Sequence, residues 1–452
     1  MRNPPPAATD VAQPLGPAEF AALVEALGPF EPQVRLAAAV SGGPDSTALA
    51  LLVADWARAR GGALLALIVD HGLRPEAAAE ATQAAGRLAS IGIDSRILHW
   101  DDAKPVTGVQ AAARAARYRL LEGACRSAGI LHLLLGHQRE DQAETVAMRV
   151  ACGSGPTGRA GIPAVREVAG LRLLRPLLDV PKSRLAATLR AAGQPWQIDP
   201  SNLAPQFQRG RLRQDPSFDT ELWWQDGLVH AGRRTGRDLE LADWLARHTR
   251  PDPLGFVRLD RTAWTALDPH RRLAVLARTV ATTGGNSYPL RTGLLERLAD
   301  RLGATLPAGR WTVGGCLVEA REDVTVTREP GRIRDRMRLL DGEHLVWDGR
   351  FRVQHRGGGA LLEVAPLGFA GSRMLPDACR TELRSAGVPA AAVAALPGIW
   401  RAEQLVACPP LAAYGMVPQA GISATMAPYP ALALAGPAFA GVNVVSKQQR
   451  LI

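Results

Sequence analysis

The 452-residue sequence has few cysteines, and none of them are paired in sequence. The five cysteines are Cys125, Cys152, Cys316, Cys379 and Cys408, and no C-x-x-C pair occurs. Zinc knuckles and iron–sulfur sites usually draw on such pairs, so neither kind of site is indicated. The odd number and wide spacing are typical of reduced thiols in the cytosol.

Long apolar runs are also absent. No uninterrupted apolar run is long enough to span a bilayer, and the first residues, Met1-Arg2-Asn3-Pro4, lack the apolar core of a signal peptide. We therefore expect a soluble, cytoplasmic protein with no membrane partner. The sequence also has no visible internal repeat.

Positive charge is abundant. The formal net charge is +10 and the isoelectric point is about 10.1, a balance that favours a polyanionic partner. Composition alone does not decide this, because arginine-rich proteomes also produce basic enzymes without such a partner.

Strand and helix patterns alternate over the first half of the chain, which predicts a doubly wound parallel sheet of the α/β class. We expect a flexible tail at 1–17, an α/β domain at 18–215, a mainly helical region at 216–329 and a smaller C-terminal domain at 330–452. The helical patterns at 218–250, 272–281 and 290–302 support the third of these divisions, and 311–327 alternates like strands. Beyond residue 330 the pattern is too weak to predict a fold.

The most informative stretch follows the first apolar strand, Val34 to Val40. It reads Ser41-Gly42-Gly43-Pro44-Asp45-Ser46 and leads into an apolar helix. Glycines and a helix N-terminus can direct several N–H groups at one phosphate, and the serines add hydroxyl donors. No lysine stands where the Walker A loop requires one. Asp45 lies in this loop instead. A carboxylate repels phosphates unless a cation lies between them, so Asp45 indicates Mg²⁺. The alternative is an ordinary Gly-Pro turn with Asp45 as a helix cap.

Polar residues follow two further strands. His71 comes after the second strand and could bond a phosphate or a base, or could simply end the strand. After the fourth strand, His137 and Asp141 are four residues apart, as are Glu140 and Glu144, so we expect each pair to share a helix face. Such a cluster suits metal holding, amine binding or proton transfer. The alternative is an acidic first turn that complements the helix dipole.

Basic residues form two smaller groups. Arg117 lies on a predicted helix within Ala115-Ala116-Arg117-Tyr118, and Arg209, Arg211 and Arg213 form a cluster near the end of the α/β region. Arginine forks grip phosphates and carboxylates. A solvated basic surface is the alternative in both places.

The segment Ser41 to Ser46 resembles the PP-loop of the ATP pyrophosphatase superfamily, whose members transfer AMP from ATP to a carbonyl oxygen and release pyrophosphate. Over residues 30–215 the order of motifs is similar to that of the tRNA(Ile)-lysidine synthetase family. Besides the loop, the resembling segments are Asp70-His71-Gly72-Leu73-Arg74, Ala115 to Tyr118, His137 to Thr145, Gly153-Ser154-Gly155-Pro156, Arg175-Pro176-Leu177-Leu178 and Asp199-Pro200-Ser201-Asn202.

The resemblance implies a ligase with tRNA(Ile) bearing a CAU anticodon and free L-lysine as substrates, and with ATP and Mg²⁺ as cofactors. ATP adenylates the wobble cytidine, and the side-chain amine of lysine then displaces AMP. For this chemistry we expect ATP to bind at Ser41, Gly42, Gly43, Pro44, Asp45, Ser46 and His71, with Mg²⁺ on Asp45 and Asp141. The catalytic set would be Asp45, His137, Asp141 and Glu144, and lysine or tRNA would be bound by Arg117, Arg209, Arg211 and Arg213. The oligomeric state stays open, with a homodimer among the options.

One position departs from the family. The acidic segment usually carries two adjacent aspartates, whereas Glu140-Asp141 stands here. The longer arm leaves the role of Glu140 open. Residues 330–452 take the place of the family's tRNA-binding C-terminal domain by position more than by motif.

Three other functions compete with this interpretation. A PP-loop tRNA thiolase would activate the same kind of carbonyl, but its chemistry usually needs the cysteines that are lacking here. An amide-forming PP-loop ligase, such as an NAD or GMP synthetase, usually needs an ammonia source, and no N-terminal nucleophile domain is visible. A non-catalytic RNA-binding module would not need an intact phosphate loop.

Overall fold

The computed structural model describes residues 12–105, 107–168, 170–197, 208–286, 290, 292–303, 308–342, 344–356, 362–435 and 438–440. The chain divides into two compact units, one formed by residues 12–238 together with 438–440, and the other by residues 239–435. Most of the expected tail, 1–11, and the predicted turn at 199–202 lie outside the described residues. The three-domain division at 215 and 329 stays a prediction.

The first unit begins with a short helix and then alternates strands with helices. Its elements are α1 (Pro17–Glu25), β1 (Arg35–Val40), α2 (Pro44–Ala59), β2 (Ala63–Asp70), α3 (Ala77–Ser90), β3 (Asp94–His99), α4 (Val109–Ser127), β4 (His132–Leu135), α5 (Arg139–Ala151), α6 (Pro156–Arg159), β5 (Val165–Val168), β6 (Leu171–Leu174), α7 (Lys182–Ala191), α8 (Gln208–Gln214) and α9 (Thr220–His248), the last of which continues into the second unit.

These strands form one six-stranded sheet in the order β3-β2-β1-β4-β6-β5. All neighbours are parallel except β5, which pairs antiparallel with β6 and is the element that the sequence pattern missed. Because β1 lies between β2 and β4, strand order reverses at the β1–β4 boundary. Ligands of open α/β sheets bind at the carboxyl ends of the strands at such a reversal. The predicted doubly wound α/β fold is confirmed.

After Arg35, strand β1 is apolar because it is covered on both faces. Leu36, Ala38 and Val40 contribute to a core on one face together with residues of α1, α2, α3 and α7. Ala37 and Ala39 contribute to a second core on the other face, where α4 packs. The strand is therefore fixed from both sides, and so is the loop that leaves it.

The second unit is built mainly from antiparallel strands. Its elements are β7 (Thr249–Pro251), β8 (Val257–Leu259), α10 (Arg261–Thr265), α11 (Pro269–Thr283), α12 (Thr292–Gly303), β9 (Gly309–Val313), β10 (Cys316–Ala320), β11 (Val324–Arg328), β12 (Met337–Leu339), β13 (His344–Trp347), β14 (Phe351–His355), β15 (Leu362–Pro366), α13 (Gly368–Met374), α14 (Asp377–Ser385), α15 (Ala390–Ala394), β16 (Pro397–Arg401), β17 (Gln404–Ala407) and β18 (Ala424–Pro428).

Three sheets organise this unit. They are β7-β8-β11-β10-β9, β12-β15-β16-β17 and β13-β14-β18. Leu254 and Phe256 pack in the same core as Ile333, Trp347 and Phe351, so residues on both sides of position 330 share one hydrophobic core. None of the helices in the described ranges combines the length and the apolar character needed to cross a membrane.

Candidate active site

The phosphate loop lies between the end of β1 and the start of α2. Gly42 has φ of +81°, a conformation that favours glycine, and Gly43 is the N-cap of α2. The Ser41 amide donates to Ser46 Oγ at 3.1 Å, and the two serine hydroxyls lie 3.2 Å apart. The loop is thus held from within, with the free N–H groups of the α2 N-terminus at its open side.

Asp45 lies in the first turn of α2 and is the charged group of this loop. Burial is the main cause that raises the pKa of Asp45 from 3.8 to about 6; Asp141 and Glu140 act in the same direction, whereas Lys182 and Arg213 oppose it. Its Oδ1 atom is buried and has no hydrogen-bond partner among the described residues. A buried carboxylate oxygen without a partner marks a position where a ligand atom can complete the site.

Gly136 connects this loop to β4. A Cβ atom at Gly136 would lie 3.1 Å from Cα and N of Ser46 and 3.2 Å from the carbonyl carbon of Asp45. The contacting atoms are backbone, so they cannot swing aside. The register pairs Ala39 with Leu135, which places the ends of β1 and β4 at the same level. The acidic helix α5 therefore begins beside the phosphate loop.

The start of α5 differs from the expectation. The helix begins at Arg139, and its N-cap is Gln138, in extended backbone. His137 precedes the cap, so the prediction that His137 and Asp141 share a helix face is wrong. Asp141 instead closes a capping box, in which its Oδ2 accepts from the Gln138 amide at 3.2 Å and the Gln138 side chain accepts from the Glu140 and Asp141 amides.

Glu140 is held by the next helix. Both of its carboxylate oxygens accept from the Lys182 amide, at 3.2 and 3.1 Å, and they thereby cap the start of α7. Beside it, Arg139 donates to the Asp179 carbonyl from Nε and Nη2 at 3.1 and 2.8 Å, and its guanidinium stacks over Trp224. The longer arm of glutamate thus secures the N-terminus of α5 against residues 179–182.

Glu144 is the most buried carboxylate of the cluster, with 1% of its surface exposed. Arg213 on α8 grips it with two bonds, Nε to Oε1 at 2.6 Å and Nη2 to Oε2 at 3.1 Å. Burial raises the pKa of Glu144 above its ordinary value, although Arg213 opposes this effect. A carboxyl group in such a setting can accept a proton closer to neutral pH than an exposed one.

Arg209 makes looser contacts with the same carboxylates. Its Nη1 lies 3.6 Å from Asp141 Oδ1, its Nε lies 3.7 Å from Glu144 Oε2, and Nη2 donates to Thr145 Oγ1 at 3.3 Å. About 41% of the Arg209 side chain is exposed, against 24% for Arg213. The structure therefore brings Asp141, Glu144 and these two arginines into one cluster.

His137 lies in a positively charged setting. Its Nδ1 atom is buried and has no hydrogen-bond partner among the described residues. Burial lowers the pKa of His137 well below its ordinary value, and Arg175, Arg117, Arg209 and Arg114 lower it further. His137 is therefore neutral at physiological pH, which suits it to hydrogen bonding rather than to carrying a charge.

The remaining predicted site residues lie apart from this cluster or at its surface. His71 Nδ1 accepts from the Leu73 amide at 3.1 Å in a local turn after β2. Arg117 is on α4 and Arg211 is on α8, both in exposed positions.

The glycine-rich stretch after α5 is bonded to that helix at several points. It contains α6, and Gln142 on α5 bonds Ile162 twice, from Nε2 to the carbonyl at 2.9 Å and from the Ile162 amide to Oε1 at 2.6 Å. Arg149 Nη1 donates to the carbonyls of Gly158 and Gly161 at 2.7 Å each. This segment is fastened to the acidic helix.

Two residues near the site were not singled out from the sequence. Lys182 makes the largest opposing contribution to the pKa of Asp45, from the start of α7. Arg175 is 4% exposed, and its Nε has no partner among the described residues. Arg175 stood in a resembling segment, but only its position at the end of β6 shows that it faces His137.

Comparison with known proteins agrees with this geometry. A family model described as a PP-loop domain matches residues 17–216. A tRNA(Ile)-lysidine synthase of Methylobacterium nodulans is 43% identical over 352 residues, which cover 72% of this chain and 99% of the relative. The chain belongs to the tRNA(Ile)-lysidine synthase family. Similar proteins with that name include one from Rhodopseudomonas palustris, 44% identical over 58% of this chain and 79% of the relative. Another, from Caulobacter vibrioides, is 36% identical over 82% and 85%. The expected family and ATP-using ligase class are confirmed.

Among solved structures, a U34-tRNA thiolase from Methanococcus maripaludis with a [4Fe-4S] cluster aligns with a TM-score of 0.40. It is 17% identical, and the alignment covers 48% of this chain and 78% of the thiolase. In the present structure Cys152 is exposed and the other four cysteines are buried.

Proposed function

We propose that this protein attaches free L-lysine to the wobble cytidine of a tRNA(Ile) with a CAU anticodon. ATP first adenylates the cytidine, and the side-chain amine of lysine then displaces AMP. The observation that carries this proposal is the adjacency of two sites at the β1–β4 boundary. One is a phosphate loop with a buried carboxylate oxygen that has no partner within the described ranges, and the other is a buried acidic cluster that can receive an amine.

In the first step the loop from Ser41 to Ser46 binds the phosphates of ATP. The α2 N-terminus and the serine hydroxyls supply donors, and Lys182 adds positive charge nearby. The site fits Mg²⁺, because Asp45 Oδ1 is unpartnered among the described residues and Mg²⁺ is commonly held by one or two carboxylates together with substrate phosphates. Asp141, one of the charges that act on Asp45, would be the second carboxylate. When bound, the ion offsets negative charge that develops as pyrophosphate leaves.

In the second step the acidic cluster holds lysine. Free lysine has a side-chain pKa of about 10.4, so it arrives protonated and must lose a proton before it attacks. Asp141 and Glu144 attract the ammonium group, and Glu144, with its raised pKa, takes the proton. Arg213 already donates to both carboxylate oxygens of Glu144, from Nε and Nη2. We therefore assign the lysine carboxylate to Arg209, which is more exposed.

Neutral His137 acts on the nucleotide rather than on lysine. Its buried Nδ1 has no partner among the described residues, and the arginines around it make a positive charge on its ring unfavourable. A neutral imidazole can hydrogen-bond the cytosine ring without repelling the cationic groups beside it. Arg117 and the exposed Arg211 would contact phosphates of the RNA.

The tRNA body requires further surface, for which we propose the regions at 216–329 and 330–452. The net charge of +10 supports binding of a polyanion. We place the reaction in the cytoplasm, where tRNA and free lysine occur together, with Mg²⁺-ATP as the nucleotide. A homodimer stays a prediction.

The proposal is tested with purified protein, ATP, radiolabelled lysine and bulk tRNA. We expect ATP-dependent label on tRNA, accompanied by AMP and pyrophosphate. An Asp45→Asn variant should lose the label, while Asp55→Asn, which alters an exposed carboxylate on the same helix, should keep it. Label that appears without ATP, or no label with wild-type protein and authentic tRNA(Ile), would overturn the assignment.

A further inference from the structure

The chain returns to the first unit after the second unit has been completed. Residues Ala438–Ala440, which we call the C-terminal strap, pack there although about 200 residues separate them from their partners on α9 and still more from those near α6 and β5. Phe439 is 6% exposed and forms a small hydrophobic cluster with Ala160, just after α6, and Ala231 on α9. The phenyl ring thus lies between the glycine-rich segment and α9.

Hydrogen bonds fix the strap on its α9 side. The Phe439 amide donates to Asp238 Oδ2 at 3.1 Å, and the Thr235 hydroxyl donates to the Phe439 carbonyl. The Arg234 guanidinium lies 4.4 Å from the centre of the Phe439 ring and also donates to the Thr157 carbonyl at 3.1 Å. Phe439 is therefore fixed by hydrogen bonds to its backbone and by a cation–π contact with its ring, in addition to its apolar packing.

The strap then contacts one edge of the six-stranded sheet. Ala440 forms an antiparallel bridge with Val165 of β5, and its carbonyl accepts from the Ala164 amide at 2.7 Å. Strand β5 is one of the two edge strands of the sheet, and this contact gives the Ala164 amide beside it a backbone partner. The strap therefore holds residues 157–165 from outside.

The 157–165 segment also contacts residues of the active site. The Arg175 amide donates to the Ala164 carbonyl at 2.8 Å, and Arg175 Nη1 donates to the Pro163 carbonyl at 2.9 Å. Ile162 is bonded to Gln142 on the acidic helix, one residue after Asp141. A continuous set of contacts leads from Phe439 and Ala440 through 162–164 to Arg175 beside His137 and to α5.

We propose that the C-terminal strap is a positioning element of the lysine-transfer half of the active site. It presses the 157–165 segment against α5 and β6, and so fixes Arg175 and, through α5, the Glu144 carboxylate. The phosphate loop does not depend on it, because that loop is held by β1, α2 and Gly136. This inference rests on the proposed function, since it assigns the strap to one of the two steps.

The structure offers a matched pair of truncations. A chain ending after Pro437 lacks the strap, whereas a chain ending after Asn443 keeps it and serves as the control. Phe439→Ala removes the ring, and Phe439→Leu restores apolar volume without the aromatic face. Each variant is examined for pyrophosphate release on tRNA, for single-turnover transfer of labelled lysine, and for hydrogen exchange in peptides covering 157–165.

We expect the chain ending after Pro437 and Phe439→Ala to transfer lysine about tenfold more slowly or with a raised KM for lysine, because small misplacements of catalytic groups carry such costs. Pyrophosphate release should stay within about twofold of wild type. Hydrogen exchange should rise in 157–165, and Phe439→Leu should recover most of the transfer rate.

Two results would overturn the proposal. Equal losses in both half-reactions, with increased exchange throughout the first unit, would make the strap a stability element only. Unchanged lysine transfer together with increased exchange at 157–165 would separate that segment from catalysis. If wild-type protein transfers no lysine, the proposed function fails instead, and that failure is visible before any variant is compared.

Discussion

The substitution Asp45→Asn should stabilise the nucleotide-free protein while abolishing its first reaction. Burial raises the pKa of Asp45 to about 6, from 3.8. In an acid, this direction means that the folded state binds the proton more tightly than the unfolded state does. The free energy of unfolding therefore falls as pH rises from about 4 to about 6, and it stays reduced above that range.

The size of the effect follows from the same two values. The difference between about 6 and 3.8, at about 1.36 kcal/mol for each pKa unit, gives about 3 kcal/mol of destabilisation at pH 8. Water near this partly buried group makes the figure an upper limit. Between pH 8 and pH 4.5, about 2 kcal/mol of the difference between wild type and Asp45→Asn should disappear.

Hydrogen exchange of peptides from β1 and α2 measures this difference in the first unit alone. The comparison is made at pH 4.5, 6 and 8 without nucleotide or divalent cations, after correction for the intrinsic exchange rate. Asp55→Asn is the control, because it removes an exposed carboxylate of the same helix that pairs with Arg58 at 2.8 Å. A gain for Asp45→Asn that is equal at all three pH values would refute the reasoning, as would pyrophosphate release at the wild-type rate.

Other substitutions probe the remaining parts of the site. Glu144→Gln should spare pyrophosphate release and lower lysine transfer by about a hundredfold; loss of the first step in a variant that is still folded by circular dichroism would move the lysine site elsewhere. Glu140→Ala should lower the free energy of unfolding in denaturant by about 1 kcal/mol, since the α7 cap is lost, and an unchanged midpoint would argue against that role. Gly136→Ala should slow adenylation by about tenfold or more, because the new Cβ would collide with the backbone of the phosphate loop. A wild-type rate would show that the loop can shift without loss of activity. The double variant Arg334→Ala and Arg338→Ala removes two exposed positive charges from the 330–452 region that we propose for tRNA binding. It should weaken tRNA binding and make its logarithmic salt slope shallower by up to about two, and equal slopes in filter binding would place the RNA surface elsewhere.

Local patterns in the sequence predicted the phosphate loop and the alternating sheet. The Ser41 to Ser46 loop is set by glycines, a proline and a short apolar strand, all within a few residues of one another. The four-residue spacing after β4 was misleading for His137, because Gln138 takes the cap and the helix begins one residue later. A polar residue at the start of a helix can cap it or face a ligand, and spacing does not separate the two.

Long-range partners could not be predicted in the same way. The bidentate bond between Glu144 and Arg213 joins residues 69 positions apart, so neither residue shows the pairing in its own neighbourhood. The same holds in the second unit, where Phe256 packs in one core with Trp347 and Phe351, far along the chain. A truncation at residue 330 would therefore cut through that core.

The most direct test of the central claim is nucleoside analysis by mass spectrometry of tRNA(Ile) with a CAU anticodon after reaction with the protein, ATP and lysine. We predict that the wobble cytidine gains the mass of lysine less one water, and that a transcript with uridine at that position gains nothing. An unmodified wobble cytidine, lysine attached elsewhere on the tRNA, or sulfur in the product would contradict it.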